Sequence, residues 1–186
     1  MLPPDATYVA NYLQQDAGFR ILAQIDGSPW RDDLRRRVQH YGYRYDYRAR
    51  RITADSYLGP LPDWLNGLAQ RLQVDGVFDV APDQVIVNEY QPGQGIASHV
   101  DCEPCFGEII ASLSLGSGCV MEFDHLLSPS RVSHWLEPLS LLTLTGESRF
   151  DWKHGIPARK SDPLEAGPLA RGRRISLTFR NVVRSE

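Results

Sequence analysis

The chain has 186 residues, of which 42% are hydrophobic and 23% are charged, and its formal net charge is −3. It contains no run of about 18 apolar residues, and its N-terminus lacks the basic and apolar regions of a signal peptide, so we expect no membrane partner and a cytoplasmic location. Three cysteines, an odd number, argue against the disulfide framework of a secreted protein. We expect a monomer with one domain over residues 1–186.

The charges are segregated along the chain. Residues 31–51 hold eight arginines and three acidic groups, residues 53–124 hold eleven acidic groups and one base, and residues 149–184 hold nine bases and three acids. Basic segments on either side of an acidic middle favour a site bordered by surfaces that attract a polyanion. An uneven solvated surface explains the same counts equally well.

The first half of the chain predicts helices and the second half predicts strands. Apolar spacing indicates one helix in residues 7–24 and another in residues 60–73, for which Asp63 is a possible cap. Both are interpreted as packing helices that buttress a sheet. A proline- and glycine-rich stretch, residues 157–172, indicates a long loop.

After residue 83 short apolar segments alternate with turn residues, which predicts a β-sandwich or jelly roll rather than an α/β fold. The predicted strands are 84–90, 96–101, 108–115, 119–123, 131–136, 139–145, 149–154 and 174–183.

Arginines and alternating tyrosines follow each other between residues 30 and 47. Arg36 and Arg37 belong to the basic part, and Tyr41 and Tyr43 to the aromatic part. Arginines bind phosphates and tyrosines stack on bases, so this segment is a candidate nucleic-acid contact. A half-buried strand beside a wet basic surface is the alternative.

A histidine and an aspartate two residues apart indicate a metal site. His99 and Asp101 close a predicted strand, so both side chains point to one face. His154 is the best candidate for a third ligand. Two histidines and one carboxylate leave half of an octahedron open, as in non-haem Fe(II) oxygenases, whereas zinc is the second choice.

The last strand carries two arginines on one face. Arg174 and Arg180 share that face with Ser176 and Thr178, and their Cα atoms lie about 20 Å apart at the usual strand rise. Buried cations require an anionic partner, and two arginines reaching inward could hold the two ends of a short dicarboxylate. Asn88 and Tyr90, on one face of their own strand, could add an amide and a phenol. A surface strand is the alternative.

Taken in order, these residues resemble the AlkB family of Fe(II)- and 2-oxoglutarate-dependent dioxygenases. The resemblance covers roughly residues 36–183. The matching residues are Asn88, Tyr90, His99, Asp101, His154, Arg174 and Arg180. One departure is Ser176, where AlkB itself has an amide.

The resemblance implies a mainly β, α+β fold: a double-stranded β-helix (jelly-roll) core over about residues 84–183, N-terminal buttressing helices, and a nucleotide-recognition lid over about residues 30–58. It also implies iron on His99, Asp101 and His154, with O2 as co-substrate. Asn88, Tyr90, Arg174 and Arg180 would hold 2-oxoglutarate, with Ser176 and Thr178 beside them on the last strand.

The resemblance also implies a substrate. Tyr43, Arg36 and Arg37 in the lid, and Glu103 beyond the metal carboxylate, become candidate contacts to a nucleic acid. The implied activity is oxidative demethylation of alkylated bases in single-stranded DNA or RNA, or of a base flipped out of a duplex. Alternatives are hydroxylation of a modified tRNA wobble uridine, a protein or small-molecule substrate, and a non-catalytic binding module. Cys102 and Cys105 are interpreted as incidental thiols that air can oxidise, and zinc binding or a redox switch is the alternative.

Overall fold

Two antiparallel β-sheets form the body of the structure, a computed structural model that describes residues 1–32 and 34–183. The helices are α1 (Gln15–Asp26), α2 (Asp63–Val74) and α3 (Gly146–Phe150), with a 3-10 turn at Ala54–Ser56. The strands are β1 (Ala6–Val9), β2 (Val38–Tyr41), β3 (Gln84–Tyr90), β4 (Ile96–His99), β5 (Ile110–Gly116), β6 (Cys119–His125), β7 (Arg131–Leu136), β8 (Leu141–Leu144), β9 (Trp152–Ile156), β10 (Ser161–Leu164), β11 (Gly167–Ala170) and β12 (Arg174–Arg180).

The strand order is that of a jelly roll. The larger sheet runs β1-β8-β5-β12-β3-β2, the smaller sheet runs β4-β9-β6-β7, and β10 and β11 form a separate hairpin. Side chains of both sheets share one apolar cluster, to which the larger sheet gives Leu142 and Leu144 and the smaller gives Met121 and Phe123. The two sheets therefore pack face to face, and an opening is left between them at one end.

In strand β12 apolar and polar residues alternate, so that one face of the strand packs into the core and the other faces the smaller sheet. Ile175, Leu177 and Phe179 are buried in the apolar cluster behind that sheet. Ile25 of α1 and Leu65 of α2 belong to the same cluster, so the two helices cover the back of the sheet. The alternate residues of β12 face the smaller sheet, which is where the sequence places its polar groups.

The N-terminal helix prediction was wrong for its first half. Ala6–Val9 form an edge strand that pairs with β8, and the helix begins only at Gln15. Backbone hydrogen bonds to an open sheet edge outweigh a weak helical pattern in so short a segment. The second helix begins at Asp63, but its N-cap is Pro62 and no side-chain cap bond is formed.

Two further predictions in the second half were wrong. The strand predicted for residues 149–154 starts only at Trp152, because Thr145 and Ser148 form a capping box that starts α3. The stretch 157–172, predicted as a loop, contains the hairpin of β10 and β11. Asp162 holds that hairpin, accepting hydrogen bonds from the Arg159 and Arg171 guanidinium groups.

The segment between β2 and the 3-10 turn folds over the open end of the sheets. Its pairings are single bridges, Tyr43 with Tyr57 and Asp46 with Arg51. It begins at Gly42, whose φ of +75° and close approach to the Asp83 carbonyl leave no room for a side chain.

None of the helices in the described part of the chain combines the length and apolar character that crossing a membrane requires.

We predict that Asp162→Ala destabilises the fold strongly. The Asp162 side chain is fully buried and the side chain of its partner Arg171 is 6% exposed, so removing the carboxylate leaves a buried cation without its counter-ion. Such a loss costs about 3–5 kcal/mol. Urea unfolding measures it, and Glu165→Ala, in the turn of the same hairpin, is the control. Equal unfolding free energies for the two variants would contradict the argument.

Candidate active site

Three metal-ligand side chains converge at the open end of the sheets. Strand β4 pairs with β9 so that His99 lies directly opposite His154, and Asp101 follows two residues after His99. One ligand atom from each of the three lies within 4.8 Å of the others. The register of the β4–β9 pair thus brings His154 next to His99 and Asp101, although His154 lies 53 residues after Asp101 in the sequence.

The Asp101 carboxylate is buried and strongly polarised. It is 6% exposed. Its Oδ1 accepts a hydrogen bond of 2.9 Å from Arg180 Nη2, while its Oδ2 has no hydrogen-bond partner. Burial by itself would raise the pKa of this carboxyl, but the Arg180 cation and the neighbouring histidines hold it below its usual range. An ionised carboxylate with a bare oxygen is a ready metal ligand.

Both histidines are prepared to bind through a ring nitrogen. Burial and the neighbouring His99 lower the pKa of His154 to about 4, so its imidazole is neutral at pH 7. His99 Nδ1 lies 2.8 Å from the Ala97 carbonyl oxygen, which makes Nδ1 the hydrogen-bond donor and leaves Nε2 for a metal. A neutral imidazole is the form that coordinates a metal.

A row of polar side chains lies on the larger sheet beside this cluster. In the register of β12 with β3, Arg174 is opposite Tyr90 and Ser176 is opposite Asn88. Arg174 is 2% exposed; its Nη2 donates to Ser114 Oγ, but its Nε and Nη1 have no partner. Unpaired guanidinium N–H groups in a buried wall are costly unless an anion meets them.

A cavity of about 320 Å³ connects the histidine cluster with this row. Arg174, Ser176, Thr178 and Arg180 all line it, as do Asn88 and Tyr90. The bare Asp101 Oδ2 and the unpartnered N–H groups of Arg174 and Arg180 are the polar atoms in it that lack a partner. A divalent metal and a dicarboxylate therefore fit the donors that the described residues leave unsatisfied.

The comparison with known families decides the class. A sequence model of the 2OG-Fe(II) oxygenase superfamily matches residues 7–180, nearly the whole chain. The chain belongs to this superfamily. Together with the relatives below, this confirms the expected AlkB-family resemblance, the dioxygenase activity, and the use of Fe(II), 2-oxoglutarate and O2.

Similar proteins come from a virus, an animal and a plant. An uncharacterized protein of Acanthamoeba polyphaga mimivirus is 36% identical over 96% of this chain and 85% of its own length. The mouse tRNA (carboxymethyluridine(34)-5-O)-methyltransferase ALKBH8 is 35% identical over 98% of this chain but 31% of its own length. The Arabidopsis thaliana alkylated DNA repair protein ALKBH8 homolog is 34% identical over 97% of this chain and 57% of its own. The chain thus spans about a third to three fifths of these two ALKBH8 relatives.

Solved structures confirm the jelly-roll fold. OsALKBH1 superimposes with a TM-score of 0.72 at 19% identity and covers 97% of this chain and 98% of its own. A prolyl-4-hydroxylase of Pseudomonas putida superimposes with a TM-score of 0.60 at 14% identity, covering 97% of this chain and 94% of its own. At these identities the likeness concerns the fold alone.

The outer wall of the dioxygenase cavity is aromatic and cationic. Tyr45, Tyr47 and Arg50 line it, and sequence reasoning singled out none of them. Tyr45 packs against Tyr47 with ring centroids 5.0 Å apart. Arg36, which was expected here, also lines the cavity and donates from Nε to Asn88 Oδ1 at 2.9 Å. The alternation of tyrosines marked this segment as a candidate substrate contact, but it did not show which tyrosines face the cavity.

Two expected substrate contacts are contradicted by the structure. Tyr41 packs against the cluster behind the larger sheet, with its ring 5.7 Å from that of Trp64. Arg37 forms a two-pronged ion pair with Glu89 and lies over the Trp30 ring, on the same far side. Because β2 alternates faces, residues one position apart point away from each other.

Two other candidates are not among the residues that line the cavity. Tyr43 packs against the exposed Tyr57 with ring centroids 5.1 Å apart. Glu103 is exposed in the turn that follows Asp101. Their roles as substrate contacts stay predictions, because a nucleic-acid substrate would extend beyond the cavity.

The thiol interpretation of the cysteines was wrong. Cys102 and Cys105 form a disulfide in the turn directly after Asp101, whereas Cys119 is free and buried. The odd cysteine count excluded an extensive framework but said nothing about one local bridge. Because Cys102 directly follows Asp101 in the sequence, the bridge lies at the edge of the active site.

We predict that His154→Ala lowers the affinity for Fe(II), or for Mn(II) as a stable substitute, by more than about 100-fold. Loss of a residue that only hydrogen-bonds to a metal ligand already lowers metal affinity about 10–100-fold, and loss of a ligand should cost more. Isothermal titration calorimetry with Mn(II) measures the affinity without turnover. His125→Ala is the control: His125 contacts the Trp152 ring and lies outside the three-residue cluster. Unchanged Mn(II) binding by His154→Ala would remove His154 from the site.

Proposed function

We propose that this AlkB-family dioxygenase oxidises a modified base in a nucleic acid. Oxidative demethylation of alkylated DNA or RNA bases is the first candidate reaction, and hydroxylation of a modified tRNA wobble uridine is the second. The observation that supports a nucleic acid is the outer cavity wall, where Tyr45 and Tyr47 offer ring faces and Arg36 and Arg50 offer cations. Rings stack on bases and guanidinium groups attract phosphates.

The proposed metal ligands are His99, Asp101 and His154. Bound iron, with O2 and 2-oxoglutarate, would supply the oxidant for a C–H bond. The protein's own contribution is to keep His154 neutral and to orient Asp101 through its hydrogen bond from Arg180. Two histidines and one carboxylate leave three coordination positions for 2-oxoglutarate and O2.

The proposed 2-oxoglutarate site is the polar row on the larger sheet. Arg174, with two unpartnered N–H donors, would meet the carboxylate far from the metal, and Arg180 lies beside the metal carboxylate. Tyr90 is fully enclosed, and burial raises the pKa of its phenol, so it stays a neutral hydrogen-bond donor. The remaining members of the proposed site are Asn88, Ser176 and Thr178.

A base must leave its stack to reach this metal. The cluster lies within the cavity between the sheets, so a single-stranded region or a base flipped out of a duplex is the form that can enter. Damaged or unpaired bases leave the stack most easily, which favours them as substrates.

The charge inside the cavity favours the second candidate reaction. Asp101 is the one acidic residue among the described residues that line the cavity, whereas Arg36, Arg50, Arg174 and Arg180 are cationic. Two of these cations would be offset by 2-oxoglutarate, and Arg36 and Arg50 form no ion pair with a described carboxylate. A methylated ring that carries a positive charge is repelled there, whereas an anionic base is attracted. The name of the mouse ALKBH8 relative refers to such a base, carboxymethyluridine.

A panel assay separates the candidates. Protein, Fe(II), ascorbate and 2-oxoglutarate are mixed with oligonucleotides that carry N-methylated bases or modified wobble uridines. Demethylation predicts succinate together with formaldehyde, and uridine hydroxylation predicts succinate with one added oxygen in the oligonucleotide and no formaldehyde. No stimulation of succinate formation by any oligonucleotide would favour a protein or small-molecule substrate, and no succinate with any substrate would favour a binding module.

We predict that Arg36→Met raises the KM for the oligonucleotide about tenfold or more, the usual effect of losing a hydrogen bond from a charged group. Steady-state kinetics at several salt concentrations test this, since loss of a phosphate contact reduces the salt dependence. Arg35→Met is the matched control, because exposed Arg35 lies next in sequence and does not line this cavity. A similar rise for both variants would point to general electrostatics.

The monomeric state, the cytoplasmic location and the single domain over residues 1–186 stay predictions.

A further inference from the structure

The turn from Cys102 to Cys105 lies between the proposed metal ligand Asp101 and the lid. We propose that these two cysteines are a reversible dithiol–disulfide pair, and that their redox state sets how firmly the lid turn (residues 46–51) is held over the cavity. The consequence for nucleic-acid binding rests on the proposed function, whereas the effect on the lid turn does not.

The two cysteines form a disulfide within the protein interior. Cys102 and Cys105 are 5% and 4% exposed, and their Cα atoms are 5.3 Å apart. The Cys105 and Phe106 amides both donate to the Cys102 carbonyl, at 3.2 and 3.1 Å, so the backbone turn is closed by its own hydrogen bonds. The two sulfurs are therefore held as neighbours by the turn as well as by their bond.

The metal side of the turn is fixed. Buried Arg149 donates to the Asp101 carbonyl at 3.1 Å and to the Phe106 carbonyl at 3.5 Å. The Phe106 ring lies 4.5 Å from the guanidinium carbon of Arg180, which itself holds the Asp101 carboxylate. Because both ends of the turn are tied in this way, a change at the sulfurs acts mainly on what lies on their other side.

The lid turn lies on that other side. The Arg50 carbonyl oxygen is 3.2 Å from Cys102 Sγ and 3.5 Å from Cys105 Sγ. The turn is local: Asp46 Oδ1 accepts from the Arg48 and Ala49 amides, and Arg50 has a φ of +49°. The lid turn also contacts the metal loop (residues 99–101, which carry His99 and Asp101): Arg50 Nη2 donates a long hydrogen bond of 3.4 Å to the Val100 carbonyl.

The redox state changes the number of donors that face the Arg50 carbonyl. In the dithiol each sulfur carries a hydrogen and can donate an S–H···O bond, whereas a disulfide has none to donate. Reduction therefore adds a hydrogen bond between the metal loop and the lid turn, and oxidation removes it. The lid turn also carries Tyr47, which lines the cavity, so its anchoring affects the outer wall.

The chemistry is thiol–disulfide exchange with a small-molecule disulfide. One cysteine thiolate attacks the reagent, forming a mixed disulfide and releasing one small thiol. The second cysteine thiolate then attacks the mixed disulfide, forming the Cys102–Cys105 bond and releasing the other small thiol. The two cysteine protons end on the two released thiols, so the protein loses two electrons and the reagent gains them. Cys102 lines the cavity, which gives the reagent a path.

The first measurement is the redox titration itself. The full chain is equilibrated in mixtures of 2-hydroxyethyl disulfide and 2-mercaptoethanol, blocked with an alkylating reagent, and analysed by intact mass. We expect a transition in which two thiols disappear together while Cys119 remains alkylatable after unfolding. Two thiols that stay free at every mixture would overturn the proposal.

The second measurement follows the lid turn without any substrate. Trypsin cleaves after Arg48, Arg50 and Arg51, and we expect the oxidised protein to be cut there up to about tenfold faster than the reduced protein, the effect of one hydrogen bond. Cys105→Ser keeps a donor and loses the bridge, so it should show the slow rate at every mixture; Cys105→Ala should be equally insensitive if the serine variant is unstable. Cys119→Ser is the matched control and should respond like the parent.

The third measurement connects the switch to binding. Fluorescence anisotropy with a single-stranded oligonucleotide and Mn(II)-loaded protein should give a Kd that is higher, by up to about tenfold, in the oxidised state. If the oligonucleotide binds in neither state while tryptic cleavage depends on redox state, the proposed function fails and the switch stands. Equal cleavage rates in the two states, or a redox response retained by Cys105→Ser, would overturn the switch.

Discussion

The ionised Asp101 carboxylate is the group on which the rest of the site depends. One of its oxygens accepts from Arg180, at the end of the last strand of the larger sheet, and the other faces the two histidines of the smaller sheet. It therefore joins the two sheets electrostatically at the end where they are open. A buried carboxylate is tolerable only because cations surround it, and those cations in turn line the proposed site for the dicarboxylate.

The division of each strand into two faces explains how stability and chemistry coexist. Strand β12 presents Ile175, Leu177 and Phe179 to the helices, and its polar residues to the cavity. The apolar side supplies the burial that stabilises the sheet, so the polar side can keep unpartnered donors such as those of Arg174. Those unsatisfied groups are the part of the structure that ligand binding would complete.

The lid connects the chemistry to the choice of substrate. Its tyrosines and arginines belong to an irregular segment held by single bridges rather than by a sheet. Few backbone hydrogen bonds make such a segment easy to move, which suits a wall that would have to open for the proposed substrate base. The Cys102–Cys105 turn contacts this weakly held segment and is itself anchored to the metal loop by Arg149.

The sequence by itself determined the chemistry, because motif order and strand period are local properties. The alternation around His99 and Asp101, the polar face of β12 and the run of short strands predicted a sandwich or jelly roll, a metal site and a site for a dicarboxylate, and the resemblance to the AlkB family implied Fe(II) and 2-oxoglutarate. Only the tertiary structure decided which lid residues face the cavity, and that the turn from Cys102 to Cys105 lies against the Arg50 carbonyl of the lid. Those outcomes depend on packing between distant segments, such as Tyr41 against Trp64, which no local pattern records.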